Sequence, residues 1–215
     1  MRRRIAILIL LAGALSAPVG LHGQAPGIPL RNAGVSRGLA LAADAGFPGE
    51  ASGLGTSFGA SAAVGLGLVG LGATVTRLDV TGQDAVIAAG ATANLRLIGG
   101  PLVPFSATLQ GGVGRWTLQA AGQDLTTTSL TAGLGLAWTI ASPVVSFKPW
   151  LAPRMHWNRA GDPAVTSSDP AVSGGIDLGF INGLSIRGMY DRILSDGPDA
   201  GVWSIGLGYA LRVLR

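Results

Sequence analysis

The chain of 215 residues contains no cysteine and only two histidines. Without cysteine, a disulfide scaffold and thiolate chemistry are both excluded. Charged residues make up 12% of the chain, about half of the usual quarter, so the sequence is too weakly charged to be intrinsically disordered. Beyond the first 25 residues no run reaches the 18 consecutive apolar residues typical of a membrane-spanning helix, although the mean hydropathy is +0.46.

The N-terminus has the organisation of a secretory signal peptide. Three arginines at positions 2–4 precede an apolar run from Ile5 to Leu15, and small residues follow up to Ala25. The run is too short for a span of about 20 residues, and the order of the three parts is typical of an exported protein. We expect residues 1–25 to be a signal peptide and residues 26–33 to form a periplasmic lead-in.

Removal of the signal peptide changes the charge of the chain. Of 15 lysines and arginines, three lie in that segment, which leaves 12 against 11 acidic residues and a net charge near +1. The pI of about 10.6 therefore reflects mainly the signal peptide. It does not indicate nucleic-acid binding, which depends on a basic surface.

Apolar residues alternate with small or polar ones along the rest of the chain. In segments such as 57–66, 69–76 and 129–138, every second residue is apolar and the residues between are Gly, Ser, Thr or Ala. A period of two predicts β-strands with one apolar face. The predicted strands are 34–44, 55–66, 68–79, 85–98, 102–114, 126–140, 144–157, 171–181, 184–192 and 201–213.

The connections between these strands alternate between tight turns and longer loops. Tight turns are predicted at Gly67, at 99–101, at 142–143 and at Asn182-Gly183, where Asn-Gly is a strong hairpin signal. The longer loops are predicted at 45–54, 80–84, 115–125, 158–170 and 193–200. This pattern predicts an all-β fold, a closed antiparallel up-and-down transmembrane β-barrel over residues 34–215, with about ten strands and eight as the alternative.

Acidic and aromatic residues support the same architecture. Nine of the eleven acidic residues, Asp44 among them, fall at or in the predicted long loops, and only Asp177 and Asp191 lie within strands. Aromatic residues fall near both strand ends, as in the two aromatic girdles of an outer-membrane barrel. The predicted girdle residues are Phe58, Trp116, Trp138, Phe147, Trp157, Phe180, Tyr190, Trp203 and Tyr209.

The opposite faces of the strands would line the interior of the barrel. Most of these positions are Gly, Ala, Ser or Thr, and buried charges there must be paired or hydrated. Either the charges pair and close the interior, or they line a narrow water-filled passage with a slight preference for anions. The predicted polar residues of the lumen are Asn94, Arg96, Gln110, Lys148, Arg154, Asp177, Arg187 and Asp191.

The sequence offers little for catalysis or for cofactor binding. Beyond the signal peptide His156 is the one histidine, and its neighbours in the sequence do not match a nucleophile–base arrangement. One histidine and no cysteine make a soft-metal site improbable, and no glycine-rich segment is followed by the Lys-Ser/Thr of a phosphate loop. We therefore predict no enzyme activity, no cofactor and no metal.

Two segments resemble small bacterial outer-membrane β-barrels of the OmpA transmembrane-domain and opacity-protein kind. Pro104-Phe105 followed by the glycines of 111–114 is similar to strands of that group, and the segment from Ser204 to Leu211 resembles the C-terminal signal read by the barrel-assembly machinery. The resemblance implies an outer-membrane location among lipid and lipopolysaccharide, and a structural or narrow passive porin role. Alternatives are a surface-interaction protein that binds a cell-surface partner through acidic loops, and a soluble periplasmic lipid carrier.

Overall fold

A computed structural model of the chain describes residues 38–49, 54–82, 84–100, 103–120, 123–161, 165–194 and 201–211. The predicted signal peptide, the lead-in at 26–33 and both ends of the predicted barrel, 34–37 and 212–215, lie outside these ranges. No helix within the described ranges is long and apolar enough to cross a membrane.

The described residues form one antiparallel sheet that closes on itself. Consecutive strands pair with each other except β6 and β7, which both pair with β8, and β1 also pairs with β11. The strands are β1 (Gly38–Pro48), β2 (Leu54–Gly65), β3 (Val69–Val80), β4 (Val86–Gly100), β5 (Val103–Ala120), β6 (Gln123–Trp138), β7 (Ile140–Ala141), β8 (Val145–Ala160), β9 (Val165–Phe180), β10 (Leu184–Ile193) and β11 (Val202–Leu211).

The two-residue strand β7 continues β6 along the same partner. Ala137 of β6 lies opposite Trp150 of β8, and Ile140 of β7 lies opposite Phe147 in the same register. The wall of the barrel therefore contains ten strands, which confirms the predicted fold and strand number.

The apolar residues of the alternating pattern face outward. Leu71, Leu95 and Leu134 are 47%, 42% and 42% exposed, whereas Asn94, next to Leu95, is 4% exposed. An apolar outer face suits lipid, and closure of the sheet lets its backbone groups pair without an open edge. The apolar face of each strand therefore points outward to lipid, and the small and polar face points into the barrel.

The two ends of the barrel differ in their connections. β1 begins and β11 ends at one of them, which we call the turn end, and the other is the loop end. Gly67 and Gly183 lie in turn-end connections with φ of +94° and +89°, values that favour glycine. The amide of Leu184 donates a hydrogen bond to Asn182 Oδ1 at 3.1 Å. The predicted turns at Gly67 and Asn182-Gly183 are therefore present.

Two of the predicted long loops are wrong, because they are largely strand. β5 has 18 residues and β6, β8 and β9 have 16 each, whereas β10 and β11 have 10 each. The segments 115–125 and 158–170 extend the β5–β6 and β8–β9 hairpins at the loop end. Near the tips of these hairpins the outer face is polar, and in the β5–β6 hairpin the apolar residues Leu118 and Leu125 face inward. The outward apolar pattern that identified the strands therefore stops there, although the ladder continues.

Candidate functional site

The candidate site is the polar interior of the barrel. All eight residues predicted to line the lumen lie on the inner face, alternating with exposed residues of the same strands. Five of them are buried, Asn94, Gln110, Arg154, Arg187 and Asp191, and three are half-buried, Arg96, Lys148 and Asp177.

A buried ion pair joins β10 to β1. The guanidinium of Arg187 donates from Nε to Asp44 Oδ1 at 2.6 Å and from Nη2 to Asp44 Oδ2 at 2.5 Å. The two side chains are 1% and 5% exposed. This two-point geometry is the strong form of the arginine–carboxylate contact.

Glycine at position 206 makes room for this pair. Strand β11 lies between β10 and β1, and Gly206 is the register partner of both Arg187 and Asp44. A Cβ atom at this position would overlap Asp44 Oδ1 and would lie 2.8 Å from Arg187 Nε. The ion pair therefore passes directly over a residue that has no side chain.

The placement of Asp44 at a loop was wrong. Asp44 lies inside β1, which continues to Pro48, and it is 8% exposed. The sequence contained the necessary signal, because Ala40, Ala42 and Asp44 continue the inward-facing set. An acidic residue was instead interpreted as the start of a loop, although a partner on a strand distant in sequence can hold it in the interior.

A second buried ion pair joins β8 to β10. Arg154 Nη2 lies 2.5 Å from Asp191 Oδ1, and both side chains are fully buried. Ser173 on β9, between them, donates its hydroxyl to Asp191 Oδ1 at 2.6 Å and accepts a hydrogen bond from Arg154 Nη1. Arg187 and Asp191 share the inner face of β10, so this strand takes part in both pairs.

His156 lies beside the second pair and has no access to solvent. His156 is 0% exposed, and its ring nitrogen Nε2 lies 2.9 Å from Asn158 Oδ1 on the same strand. Nδ1 has no hydrogen-bond partner among the described residues. The ring therefore forms no nucleophile–base pair within the described part of the chain.

Large inward side chains elsewhere also lie over glycines. Trp150 is the register partner of Gly175, and a Cβ on that glycine would lie 2.8 Å from the indole ring. A Cβ on Gly135 would likewise overlap Gln110 and Thr108. The high glycine content therefore accommodates a small number of large side chains in the lumen.

The lumen near the loop end is apolar along strands β2 to β5. The buried cluster there comprises Leu54, Leu78, Val86, Ala88 and Trp116 from strands β2 to β5. Trp116 is 2% exposed, so its predicted place in the aromatic girdle is wrong. The distance along β5 suggested the membrane interface, but the alternation of the strand places Arg115 outside and Trp116 inside.

We expect fluorescence quenching by brominated lipid to distinguish the inward Trp116 from the outward tryptophans. In single-tryptophan variants folded into vesicles of brominated lipid, the fluorescence of Trp203 should be strongly quenched, because its side chain is exposed on the outer face. The fluorescence of Trp116 should change little relative to unbrominated vesicles. Equal quenching of the two residues would contradict the inward orientation.

The other predicted girdle residues lie on the outer face. The Tyr190 ring is half-buried and packs against Trp203, with ring centroids 4.5 Å apart. The exposed members are Phe58, Trp138, Phe147, Trp157, Phe180, Trp203 and Tyr209.

Comparison with solved structures gives the same architecture. The β domain of the Bordetella autotransporter BrkA superposes with a TM-score of 0.51 at 15% identity, over 82% of this chain and all of that one. The chain has the fold of a bacterial outer-membrane β-barrel. The attachment invasion locus protein Ail of Yersinia pestis gives a TM-score of 0.36 at 12% identity over 82% of this chain and all of that one. The outer-membrane enzyme PagL gives 0.38 at 13%, over 81% of this chain and 99% of that one.

No family model and no curated protein sequence matches the chain. The similarity to solved structures shows the fold alone, and a fold by itself does not decide whether the chain is an enzyme. The apolar outer face agrees with the predicted location in a bacterial outer membrane. Any further statement about function depends on the interior and on the outer surface.

Proposed function

We propose that the protein is a non-enzymatic outer-membrane barrel with a closed interior and a structural role. One observation carries this proposal: four charged residues of the lumen form two ion pairs across the strands, and both pairs exclude solvent. The side chains of the Arg154–Asp191 pair are fully buried, and those of the Arg187–Asp44 pair are 1% and 5% exposed.

Solvent exclusion extends around the wall. Fully buried inward residues occur on widely separated strands, including Ser57 on β2, Leu78 on β3, Ser129 on β6 and His156 on β8. A water-filled passage would leave at least one side of the lumen accessible at every level. The burial therefore supports the closed alternative over a narrow porin.

The absence of enzyme activity is part of the same proposal. His156 is the one described histidine, it is completely buried, and its Nε2 lies against an amide oxygen rather than a nucleophile. Substrate and water would have no route to this ring without opening of the barrel. The described residues also contain no group of three or more His, Cys, Asp or Glu suited to a metal ion.

The surface-interaction alternative depends on acidic residues in the loops, and fewer of them lie there than predicted. Asp44 and Asp169 lie on the inner face of strands, and Asp79 and Asp124 lie within β3 and β6. Binding through acidic loops would depend on the residues that remain, so we do not adopt this alternative.

Planar-bilayer recording tests the closed interior. After insertion of the refolded protein we expect no stepwise conductance above the baseline of the lipid alone, since no continuous aqueous path crosses the lumen. Heat-modifiable migration on gels, in which a folded barrel runs differently before boiling, verifies that the sample is folded. Regular single-channel steps from such a sample would contradict the closed interior and favour the passive porin.

A further inference from the structure

Four arginines face outward near the loop end of the barrel. They are Arg77 on β3, Arg115 on β5, Arg159 on β8 and Arg192 on β10, and all are exposed. On each strand the preceding residue of the outer face is uncharged: Val75, Val113, Trp157 or Tyr190. Within the described ranges the outer face at the turn end carries no charged residue. Positive charge is therefore concentrated at one interface of the apolar band.

Two of these arginines belong to one row across four adjacent strands. Thr128 on β6 is the register partner of Arg115 on one side and of Arg159 on the other. Thr166 on β9 lies opposite Arg159 and continues the row. Because adjacent strands are about 4.8 Å apart, the Cα atoms of the two arginines are separated by about 10 Å. Their long side chains can approach the same group above Thr128.

The rows on either side of this one differ in character. Toward the turn end, Val113, Leu130 and Trp157 form an apolar row in the same register. Toward the loop end, the hydroxyls of Thr117 and Thr126 are 3.0 Å apart. The outer face thus changes from apolar, through cationic, to hydroxyl-bearing within a few residues.

Neither Arg115 nor Arg159 forms an ion pair with a described residue. Arg77 differs, because its Nη2 lies 3.3 Å from Asp79 Oδ1. The nearest outward carboxylate on the strands of the row is Asp124, four residues beyond Thr128 on β6. The two guanidinium groups are therefore available to an external anion.

We propose that Arg115, Thr128, Arg159 and Thr166 bind a phosphate group of the phosphorylated glycolipid of the outer leaflet. Guanidinium groups bind phosphate through two parallel hydrogen bonds, and the threonine hydroxyls can donate to further phosphate or sugar oxygens. The acyl chains would lie against Val113, Leu130 and Trp157.

The length of the hairpins favours a glycolipid over a phospholipid. Beyond Arg115, β5 continues for five residues to Ala120, at about 3.4 Å per residue. The outward residues of this part are Thr117 and Gln119, which suit a thick polar layer rather than acyl chains. A sugar-bearing headgroup provides such a layer above its phosphates, whereas a phospholipid headgroup does not extend as far.

Native mass spectrometry of the detergent-folded full-length chain tests the site, with bisphosphorylated lipid A as the probe. We expect the double variant Arg115→Gln, Arg159→Gln to bind lipid A about tenfold more weakly than the unsubstituted chain. The matched control Arg77→Gln, an arginine of the same outer interface that is already paired, should change the affinity by less than about twofold. Dephosphorylated lipid A and phosphatidylglycerol should both bind weakly.

Four results would overturn the proposal: unchanged affinity in the double variant, an equal loss in Arg77→Gln, tight binding of dephosphorylated lipid A, or phosphatidylglycerol binding as tightly as lipid A. The second would indicate diffuse attraction rather than a site. If the double variant does not show heat-modifiable migration, Arg115→Lys, Arg159→Lys takes its place. This variant keeps the charges but loses the two-point geometry, so about a threefold loss is expected, and an unchanged affinity overturns the site.

Discussion

Replacement of Gly206 by alanine is expected to lower the free energy of unfolding by about 3 kcal/mol. A Cβ atom at this position would overlap Asp44 Oδ1 and crowd Arg187 Nε. The ion pair cannot move aside easily, because both side chains are enclosed by the wall. The methyl group must therefore displace the pair or deform β11, and either response is destabilising.

Gly188→Ala is the matched control for this prediction. Gly188 lies on the neighbouring strand β10, opposite Ile205, and a Cβ there would meet nothing within 4 Å. Alanine in a strand interior is favoured over glycine by about 0.5–1 kcal/mol, so a small gain in stability is expected. Urea-induced unfolding of both variants in lipid vesicles provides the measurement. Equal effects at the two positions would show that Gly206 is not needed for the ion pair.

Replacement of Asp44 by asparagine is expected to destabilise the barrel by about 3–5 kcal/mol, because it leaves Arg187 as a buried charge without a counter-charge. The same change at Asp79 serves as the control. Asp79 pairs with Arg77 on the surface, where the two side chains are 47% and 57% exposed, and such pairs contribute about 1 kcal/mol or less.

A double variant separates the net contribution of the pair from the cost of breaking it. In Asp44→Leu, Arg187→Met no unpaired charge remains, and apolar replacements of buried pairs are often neutral. We therefore expect the double variant to recover most of the stability lost in Asp44→Asn, as measured by the same unfolding experiment. A double variant that is less stable than Asp44→Asn would show that the ion pair itself stabilises the barrel.

Much of the architecture could be predicted because the lipid-facing pattern is local. The alternation around Leu71 and Leu134 identified both the strands and their outward faces. Prediction failed at the ends of strands, where this pattern stops. In the loop-end parts of β5, β6, β8 and β9 the outer face becomes polar, and in the β5–β6 hairpin Leu118 and Leu125 face inward instead. The outward apolar pattern therefore stops there although the backbone pairing continues.

The interior could be predicted residue by residue but not contact by contact. Arg154, Arg187 and Asp191 were expected inside because each falls on the small-residue face of its strand. The pairing between residues was not predicted, and Asp44 was not expected inside at all, since the Arg187–Asp44 contact spans 143 positions in sequence. Trp116 is a similar case. Its position along β5 could be inferred from the sequence, but its side chain was predicted to face lipid and instead faces the lumen.

From its sequence alone, the chain determines which residues can contact lipid, because alternation with a period of two separates an apolar face from a small and polar one within each strand. Tertiary structure alone decides how the barrel is filled. Closure brings β1 beside β11, and only then can Asp44 reach Arg187 over Gly206. The row that Arg115 shares with Arg159 depends on the register of β5, β6 and β8. The physical reason is that lipid exposure is a property of one strand, whereas ion pairing depends on register among strands that are far apart along the chain.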